Sequence, residues 1–118
     1  MREHKYQIFY ERIMADVTNI EWRGKDLLVQ VLNMKNMHVT NPKSLREYTG
    51  LTDKNGVEIY EGDIVEFIYN SYPPEKRVGI VKYDEGDCVW LFDNLLMETT
   101  PRKTIEIIGN IYQNKDLV

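Results

Sequence analysis

The stretch from Tyr48 to Val65 constrains the fold more than any other part of the chain, because its residues dictate backbone shape. It holds three of the seven glycines. Asp53-Lys54-Asn55-Gly56 is a tight-turn sequence, since Asp accepts a backbone hydrogen bond two residues on and Gly supplies positive φ without steric cost. Glu61-Gly62-Asp63 predicts a second bend that leads into a strand. The stretch therefore predicts a short hairpin or wide loop followed by a strand.

A calcium loop is the functional alternative for this stretch, because Asp53, Asn55 and Gly56 imitate part of one. If Gly56 is the invariant glycine, the first and last ligand positions fall on Leu51 and Gly62, which carry no ligand oxygen in their side chains. The residues are therefore interpreted as a structural turn motif without a metal. Its members are Tyr48, Gly50, Asp53, Asn55, Gly56, Gly62 and Asp63.

The same stretch resembles the hallmark of the YopX-like family of phage and prophage proteins. The opening residues 1–6 and the closing residues 105–114 resemble the start and end typical of that family. The resemblance spans nearly the whole chain. It implies a mostly β protein with a small SH3-like barrel in its C-terminal part, found in a bacterial host. It supplies no catalytic residue.

Apolar, β-branched and aromatic residues recur in short runs along the chain, which is typical of a mainly β protein. Strands are predicted at residues 6–10, 27–32, 37–40, 64–69, 78–83, 88–92 and 105–111. Residues 14–22 fit either a helix or a strand, residues 41–46 fit one helical turn, and the two prolines of residues 70–77 predict a loop.

Three regions follow from these patterns. Residues 1–47 are predicted to form a small antiparallel β subdomain, residues 48–62 the glycine-rich turn motif and seam, and residues 63–118 an SH3-like β-barrel. Four or five short strands within about 50 residues are typical of a small barrel.

Composition excludes several classes of protein. No apolar run approaches the ~20 residues of a membrane span, and no secretory signal follows the charged start. The single cysteine, Cys88, has no partner for an internal disulfide. These features predict a cytoplasmic protein that does not bind membranes.

The net charge argues against nucleic-acid binding, and the acidic residues 51–75 allow two interpretations. The net charge is −4 and the pI is near 5.2, which does not favour binding to duplex DNA. Residues 51–75 carry six acids and one base. Such a run is usually a solvated face, and the alternative is a surface that meets a basic partner.

The sequence shows no catalytic or metal-binding signature. His4 and His38 have no partner at ligand spacing, and Cys88 has no nearby histidine. Glu61 and Asp63 form the one candidate acid–base pair, although solvated acids at a bend are far commoner. The prediction is therefore a protein that is not an enzyme and has no cofactor.

Aromatic residues suggest a binding role. Tyr69, Tyr72 and Tyr83 form a candidate binding surface, because small barrels bind peptides or single strands through such side chains. The alternative is that the large aromatics, such as Phe67 and Trp90, simply fill the core.

The preferred hypothesis is a phage- or prophage-encoded, non-catalytic module that binds an unknown host or phage protein. One alternative is a nucleic-acid-binding accessory protein that uses barrel aromatics with Lys76, Arg77, Lys82, Arg102 and Lys103. Another is an enzyme with an unrecognised site.

The segment 27–32 is apolar on both faces apart from Gln30, which predicts a homo-oligomer through the N-terminal third.

Overall fold

The computed structural model describes residues 5–10, 12–32, 38–69, 72–84, 89–92, 95–96 and 104–114. These residues form strands and turns, with no α-helix among them. In chain order the strands are β1 (Tyr6–Tyr10), β2 (Ile13–Arg23), β3 (Asp26–Val31), β4 (His38–Thr40), β5 (Leu45–Thr52), β6 (Glu58–Tyr60), β7 (Asp63–Tyr69), β8 (Glu75–Asp84), β9 (Val89–Phe92), β10 (Leu95–Leu96) and β11 (Glu106–Asn110). The mainly β prediction is confirmed.

The first six strands form one antiparallel sheet in the order β4-β3-β2-β1-β5-β6. Side chains alternate between the two faces of a strand, so one face collects the apolar positions of several strands. Its buried members are Ile8, Val29 and Val31, with partly buried residues of β2 to β5 packed around them. The side chains of Val29 and Val31 are thus covered within the chain, whereas the oligomer prediction assumed that this segment lacks cover.

The remaining strands form a second antiparallel sheet in the order β10-β9-β8-β7-β11. Its core contains Phe67, Trp90 and other buried residues of this half of the chain. Ile59 and Leu51, from strands of the first sheet, pack into the same core. The segment 48–62 therefore forms strands of one sheet and contributes apolar side chains to the core of the other.

A closed barrel after residue 62 does not form between the described strands. β10 pairs with β9 and β11 pairs with β7, and no ladder joins β10 to β11. The outer edge of β11 is occupied instead by the turn after β5. Lys54 N donates to Ile105 O at 2.8 Å, and Ile107 N donates to the Asp53 carboxylate at 3.2 Å.

Residues 14–22, which fitted either a helix or a strand, lie within β2, whose β-branched residues and pairing on both sides favour a strand. Two local predictions differ from the structure. Residues 41–44 form a bend and turn rather than a helical turn, and Asn41 has φ of +50°. β8 begins at Glu75, because its ladder with β7 continues to the Tyr69–Glu75 pair.

Some predictions lie outside the described residues. These are the positions of His4, Cys88, Arg102 and Lys103. Among the described residues there is no helix long and apolar enough to span a membrane.

Candidate functional site

The Asp53 carboxylate organises the turn motif and joins it to the second sheet. Its Oδ1 accepts hydrogen bonds from Asn55 N at 2.9 Å and Val57 N at 3.0 Å, while its Oδ2 accepts one from Ile107 N at 3.2 Å. The residue is 6% exposed. The turn predicted from the sequence is therefore also a contact between the two sheets.

Glycines take the backbone conformations that this junction requires. Gly56 has φ of +80° in the turn, as its turn sequence predicts, and Gly62 has φ of +86° at the second bend. Gly50 has φ of +88° where the register of β5 against β6 shifts, which is typical of a β-bulge. A Cβ at Gly62 would meet Ile111 and Tyr112 side-chain atoms at 3.3 Å, whereas a Cβ at Gly56 would enter open space.

A buried ion pair forms the second link between the sheets. Arg46 Nη1 of β5 lies 2.6 Å from Asp63 Oδ1 of β7, and both side chains are almost fully buried. The other carboxylate oxygen, Asp63 Oδ2, accepts a hydrogen bond from Tyr60 N at 2.8 Å. Burial raises the pKa of Asp63 above its ordinary value, and the Arg46 guanidinium and the Tyr60 N–H offset part of that rise.

Gln7 extends this ion pair into a polar network on β1. Its Oε1 accepts from Arg46 Nη2 at 2.7 Å, and its Nε2 donates to Asp16 Oδ1 at 3.1 Å. The Arg46 guanidinium also lies over the Tyr60 ring, 5.1 Å from its centroid.

Two tyrosine rings lie beside the network. Tyr48 and Tyr60 are 8% and 5% exposed, and their ring centroids are 5.6 Å apart. Lys5 lies over the Tyr48 ring and forms an ion pair with Glu58. Burial raises the pKa of Tyr60 to about 12, and the negative charges of Glu58 and Asp16 add to the rise. The Tyr60 hydroxyl is therefore protonated at neutral pH.

These elements surround an open cleft of about 480 Å³ between the two sheets. Met14, Val57 and Ile107 form an apolar part of its lining. The polar part includes Gln7, Arg46, Glu58, Tyr60, Asp63, Asn110, Gln113 and Asn114.

The end of β11 and the turn after it supply three amide side chains of the cleft, those of Asn110, Gln113 and Asn114. Asn110 Oδ1 accepts from Tyr112 N at 3.0 Å and from Gln113 N at 2.9 Å, and Asn110 Nδ2 donates to Gln113 Oε1 at 2.7 Å. Asn114 Oδ1 accepts from Asn110 N at 3.2 Å. This turn packs against the first sheet, where Tyr112 stacks on Phe9 with ring centroids 5.9 Å apart.

The residues of the predicted turn motif lie at the contact between the two sheets. Five of them lie in or beside it, namely Tyr48, Asp53, Asn55, Gly56 and Asp63. The other two, Gly50 and Gly62, shape the backbone around it. The candidate acid–base pair is divided, because Asp63 belongs to the buried ion pair while Glu61 lies beside Glu47. Burial raises the pKa of Glu61, and the charge of Glu47 adds to this rise.

The three tyrosines of the candidate binding surface have different surroundings. Tyr69 and Tyr83 pack against the core of the second sheet. Arg77 lies 3.9 Å from the Tyr69 ring centroid, and Trp90 meets Tyr83 edge to face at 4.9 Å. Tyr72 is fully exposed in the bend before β8.

Comparison with known proteins identifies the family. The sequence model of a protein family, described as YopX protein, matches residues 4–118 of this chain. The chain belongs to the YopX family. No curated protein matches it.

The fold of this YopX family member is also present in a solved structure. A crystal structure of protein EF1440 from Enterococcus faecalis is similar over 99% of each of the two chains, with a TM-score of 0.66 and 24% sequence identity. At that identity the similarity shows the fold alone.

Sequence reasoning missed the cleft of this YopX family member. Arg46 and Gln7 are single polar residues in strands, and no local pattern marks either as part of a buried network. The alternation of β5 gives a partial signal, because Arg46 and Tyr48 occupy the same face of that strand and Leu45 and Glu47 the other. A charged residue on the same strand face as a buried aromatic residue is itself expected to be buried. Its charge then needs a partner from another part of the chain.

Proposed function

We propose that this protein is a non-catalytic protein–protein interaction module, encoded by a phage or prophage and acting in the cytoplasm of a bacterial host on a host or phage protein. The observation that carries the proposal is the cleft between the two sheets. Its lining combines exposed apolar surface at Val57, which is 52% exposed, with polar side chains held in fixed positions by hydrogen bonds. Protein-binding surfaces typically combine apolar contact with a few positioned polar groups.

The buried charges of the cleft have structural partners, which favours a binding role over acid–base chemistry. Both oxygens of Asp63 accept hydrogen bonds from within the chain, one from Arg46 and one from Tyr60 N. Glu58, which is partly exposed, pairs with Lys5 through one of its two oxygens. A general acid or base needs an oxygen within reach of a substrate, and both oxygens of the buried Asp63 carboxylate are already engaged.

The strand order of the second sheet supports the finer proposal that it is SH3-like. Its first four strands form a meander, and the last strand lies beside the first. We propose that this half of the chain is an opened variant of such a barrel, with the Asp53 turn covering the edge at β11.

Nucleic-acid binding is the alternative, and the described basic residues give it less support. Lys76 forms an ion pair with Glu66, and Arg77 forms one with Glu75 while it covers the Tyr69 ring. Phosphate binding needs cations that face solvent without a competing carboxylate. The net charge of −4 acts in the same direction.

Self-association through the N-terminal third belongs to the same proposal. Trp22 on β2 is 68% exposed and opposes Leu27 across the β2–β3 ladder. An exposed tryptophan is a typical centre of a protein contact. The contact is therefore proposed at the outer end of this hairpin rather than at the buried Val29.

Site-specific photo-crosslinking tests the proposed function. A photoreactive amino acid is placed at Val57 in the cleft, or at Val78 on β8 or Trp22 on β2, in the full chain expressed in a bacterial host that carries the phage or prophage. We expect a discrete protein adduct that resists nuclease, and we expect the purified partner to bind the purified chain directly. Adducts that disappear with nuclease, or a captured protein that shows no direct binding, would argue against the interaction module.

A further inference from the structure

The Tyr60 hydroxyl is a hydrogen-bond donor that other described residues leave without a partner. Tyr60 is 5% exposed and lines the cleft. Its backbone N–H bonds to Asp63 and its ring contacts Tyr48 and Arg46, but within the described part of the chain its hydroxyl has no hydrogen-bond partner. The hydroxyl can therefore donate a hydrogen bond to water or to a ligand in the open cleft.

Two amide groups near the same cleft present donors. Gln113 Oε1 and Asn114 Oδ1 are occupied by hydrogen bonds from Asn110, which leaves the NH₂ group of each side chain for another acceptor. Together with the protonated Tyr60 hydroxyl, these amides give the cleft three groups that can donate hydrogen bonds. A ligand rich in acceptor oxygens therefore fits it.

Charge selects among the ligands that carry acceptor oxygens. The ion pairs Arg46–Asp63 and Lys5–Glu58 leave the cleft close to electrically neutral. Asp16 lies beside the cleft, where it accepts a hydrogen bond from Gln7, and Glu61 belongs to the bend just before Asp63. These acids disfavour a carboxylate or phosphate ligand, whereas the carbonyl oxygens of a peptide backbone accept hydrogen bonds without bringing a net charge.

The apolar part of the lining indicates what the rest of the ligand provides. Val57 is 52% exposed, and Met14 and Ile107 are partly buried beside the same cleft. An extended peptide presents its carbonyl groups along the backbone and alternate side chains to one surface, so one segment can satisfy donors and cover an apolar wall.

We infer that the cleft binds an extended, uncharged peptide segment of a partner protein, with a backbone carbonyl accepting a hydrogen bond from the Tyr60 hydroxyl and an apolar side chain packed on Val57. This inference rests on the proposed interaction module and names the chemistry of its partner. The Gln113 and Asn114 amides donate to neighbouring carbonyl groups of the same segment.

A random peptide library displayed on phage is the probe. The library is selected against the full-length chain, with Val57→Lys as the counter-selection target. Enriched sequences are synthesised with a fluorescent label, and their dissociation constants are measured by anisotropy. Tyr60→Phe removes only the hydroxyl, and Tyr48→Phe makes the same change on the neighbouring ring outside the cleft lining. Val78→Lys matches Val57→Lys at a residue of similar exposure (43%) on β8.

We expect enriched peptides with apolar residues and few charges. Tyr60→Phe should weaken their binding about two- to tenfold, the loss typical of one hydrogen bond, while Tyr48→Phe leaves it unchanged. Val57→Lys should weaken binding at least about tenfold by burying a charge against an apolar side chain, and Val78→Lys should have no effect. Circular dichroism and urea unfolding establish that each variant is folded.

Three results would overturn the inference. They are a library without enriched peptides, affinities that are equal for the Val57→Lys and Val78→Lys variants, and enriched peptides dominated by Lys and Arg whose binding weakens steeply with salt. The photo-crosslinking experiment separates this failure from failure of the proposed function. A partner that crosslinks at Val78 or Trp22 and not at Val57 leaves the interaction module intact and removes the cleft as its site.

Discussion

Arg46 and Asp63 form a buried ion pair, with 2.6 Å between Nη1 and Oδ1, that connects β5 of the first sheet to β7 of the second. The guanidinium is also held by Gln7, and the carboxylate by Tyr60 N. A buried pair of this kind adds little net stability relative to an apolar pair, but it is costly to break on one side. The loss of either partner should therefore weaken the contact between the two sheets at the cleft.

Arg46→Met should destabilise the protein by about 3–5 kcal/mol at neutral pH, because it leaves the Asp63 carboxylate buried without its counter-ion. Urea unfolding followed by tryptophan fluorescence measures the change. Arg23→Met is the matched control, since Arg23 pairs with Glu21 on the surface, and it should cost less than about 1 kcal/mol. Equal costs for the two variants would mean that the buried pair does not fix the junction.

The cost of Arg46→Met should fall as the pH is lowered. Burial already raises the pKa of Asp63, and removal of the guanidinium raises it further above the value in the unfolded chain. A group with a raised pKa in the folded state contributes stability at low pH and loses it as the pH rises through the folded value. Unfolding at pH 7.5 and pH 5 should therefore show a smaller penalty at pH 5.

Asp53→Ala should destabilise the protein by about 2–4 kcal/mol, because three backbone N–H groups lose a charged acceptor at once. Two of these groups lie in the turn and the third lies in β11, so the variant loosens both the turn and its contact with the second sheet. Asn55→Ala is the control in the same turn, since the Asn55 side chain is exposed and reaches only Glu106 at 3.5 Å. A cost for Asp53→Ala no larger than that of the control would contradict this role of the carboxylate.

Local patterns made the strands and turns predictable, because the information they need lies within a few residues. The Asp53–Gly56 turn, the bend at Gly62 and the strand from residue 64 all follow from the conformational preferences of adjacent residues. The helical turn expected at residues 41–46 failed for the same reason. Asn41 and Pro42 fit a helix start locally, but Leu45 begins a strand because it pairs with Ile8 on β1.

The cleft depends on pairs of residues that are distant in sequence. Gln7 meets Arg46 and Asp53 meets Ile107, with separations of 39 and 54 residues. No local pattern specifies such pairs. The closed barrel was mispredicted for the same reason. The density of strands in the sequence indicates how many strands form, but it does not show that the turn at Asp53 occupies the edge of β11.

Glu61→Gln should stabilise the protein at neutral pH by roughly 0.5 kcal/mol. Burial and the charge of Glu47 raise the pKa of Glu61, so the ionised form is unfavourable in the folded state. A carboxyl whose pKa is raised in the folded state stabilises the protein at pH values below its unfolded-state pKa. That stability is lost as the pH rises through the folded-state pKa, and a glutamine does not undergo this loss. The advantage should shrink as the pH falls below the ordinary glutamate pKa of about 4.3, because the wild-type carboxyl becomes protonated in both the folded and the unfolded state. Glu75→Gln, at an exposed position, is the control for the loss of one negative charge in urea unfolding.

Gly62→Ala should destabilise the protein more than Gly56→Ala. Both residues have positive φ, which costs an alanine about 1 kcal/mol. At Gly62 the added Cβ also meets Ile111 and Tyr112 at 3.3 Å, where the turn after β11 packs against the first sheet. We expect about 1 kcal/mol for Gly56→Ala and about 2–3 kcal/mol for Gly62→Ala in urea unfolding. Equal costs would show that the turn after β11 moves aside without penalty.

Trp22 provides the test of self-association. Trp22→Lys changes a side chain that is 68% exposed, so the fold should tolerate it, whereas Val29→Lys places a charge at a fully buried position and should unfold the first sheet. Sedimentation equilibrium should show a wild type heavier than the 14.0 kDa chain at high concentration and a Trp22→Lys variant at the mass of one chain. Val78→Lys controls for the added charge on another exposed strand and should keep the wild-type mass. If the mass of the wild type remains at 14.0 kDa across the concentration range, the oligomer is ruled out. If the Trp22→Lys variant still associates, the contact lies elsewhere on the chain.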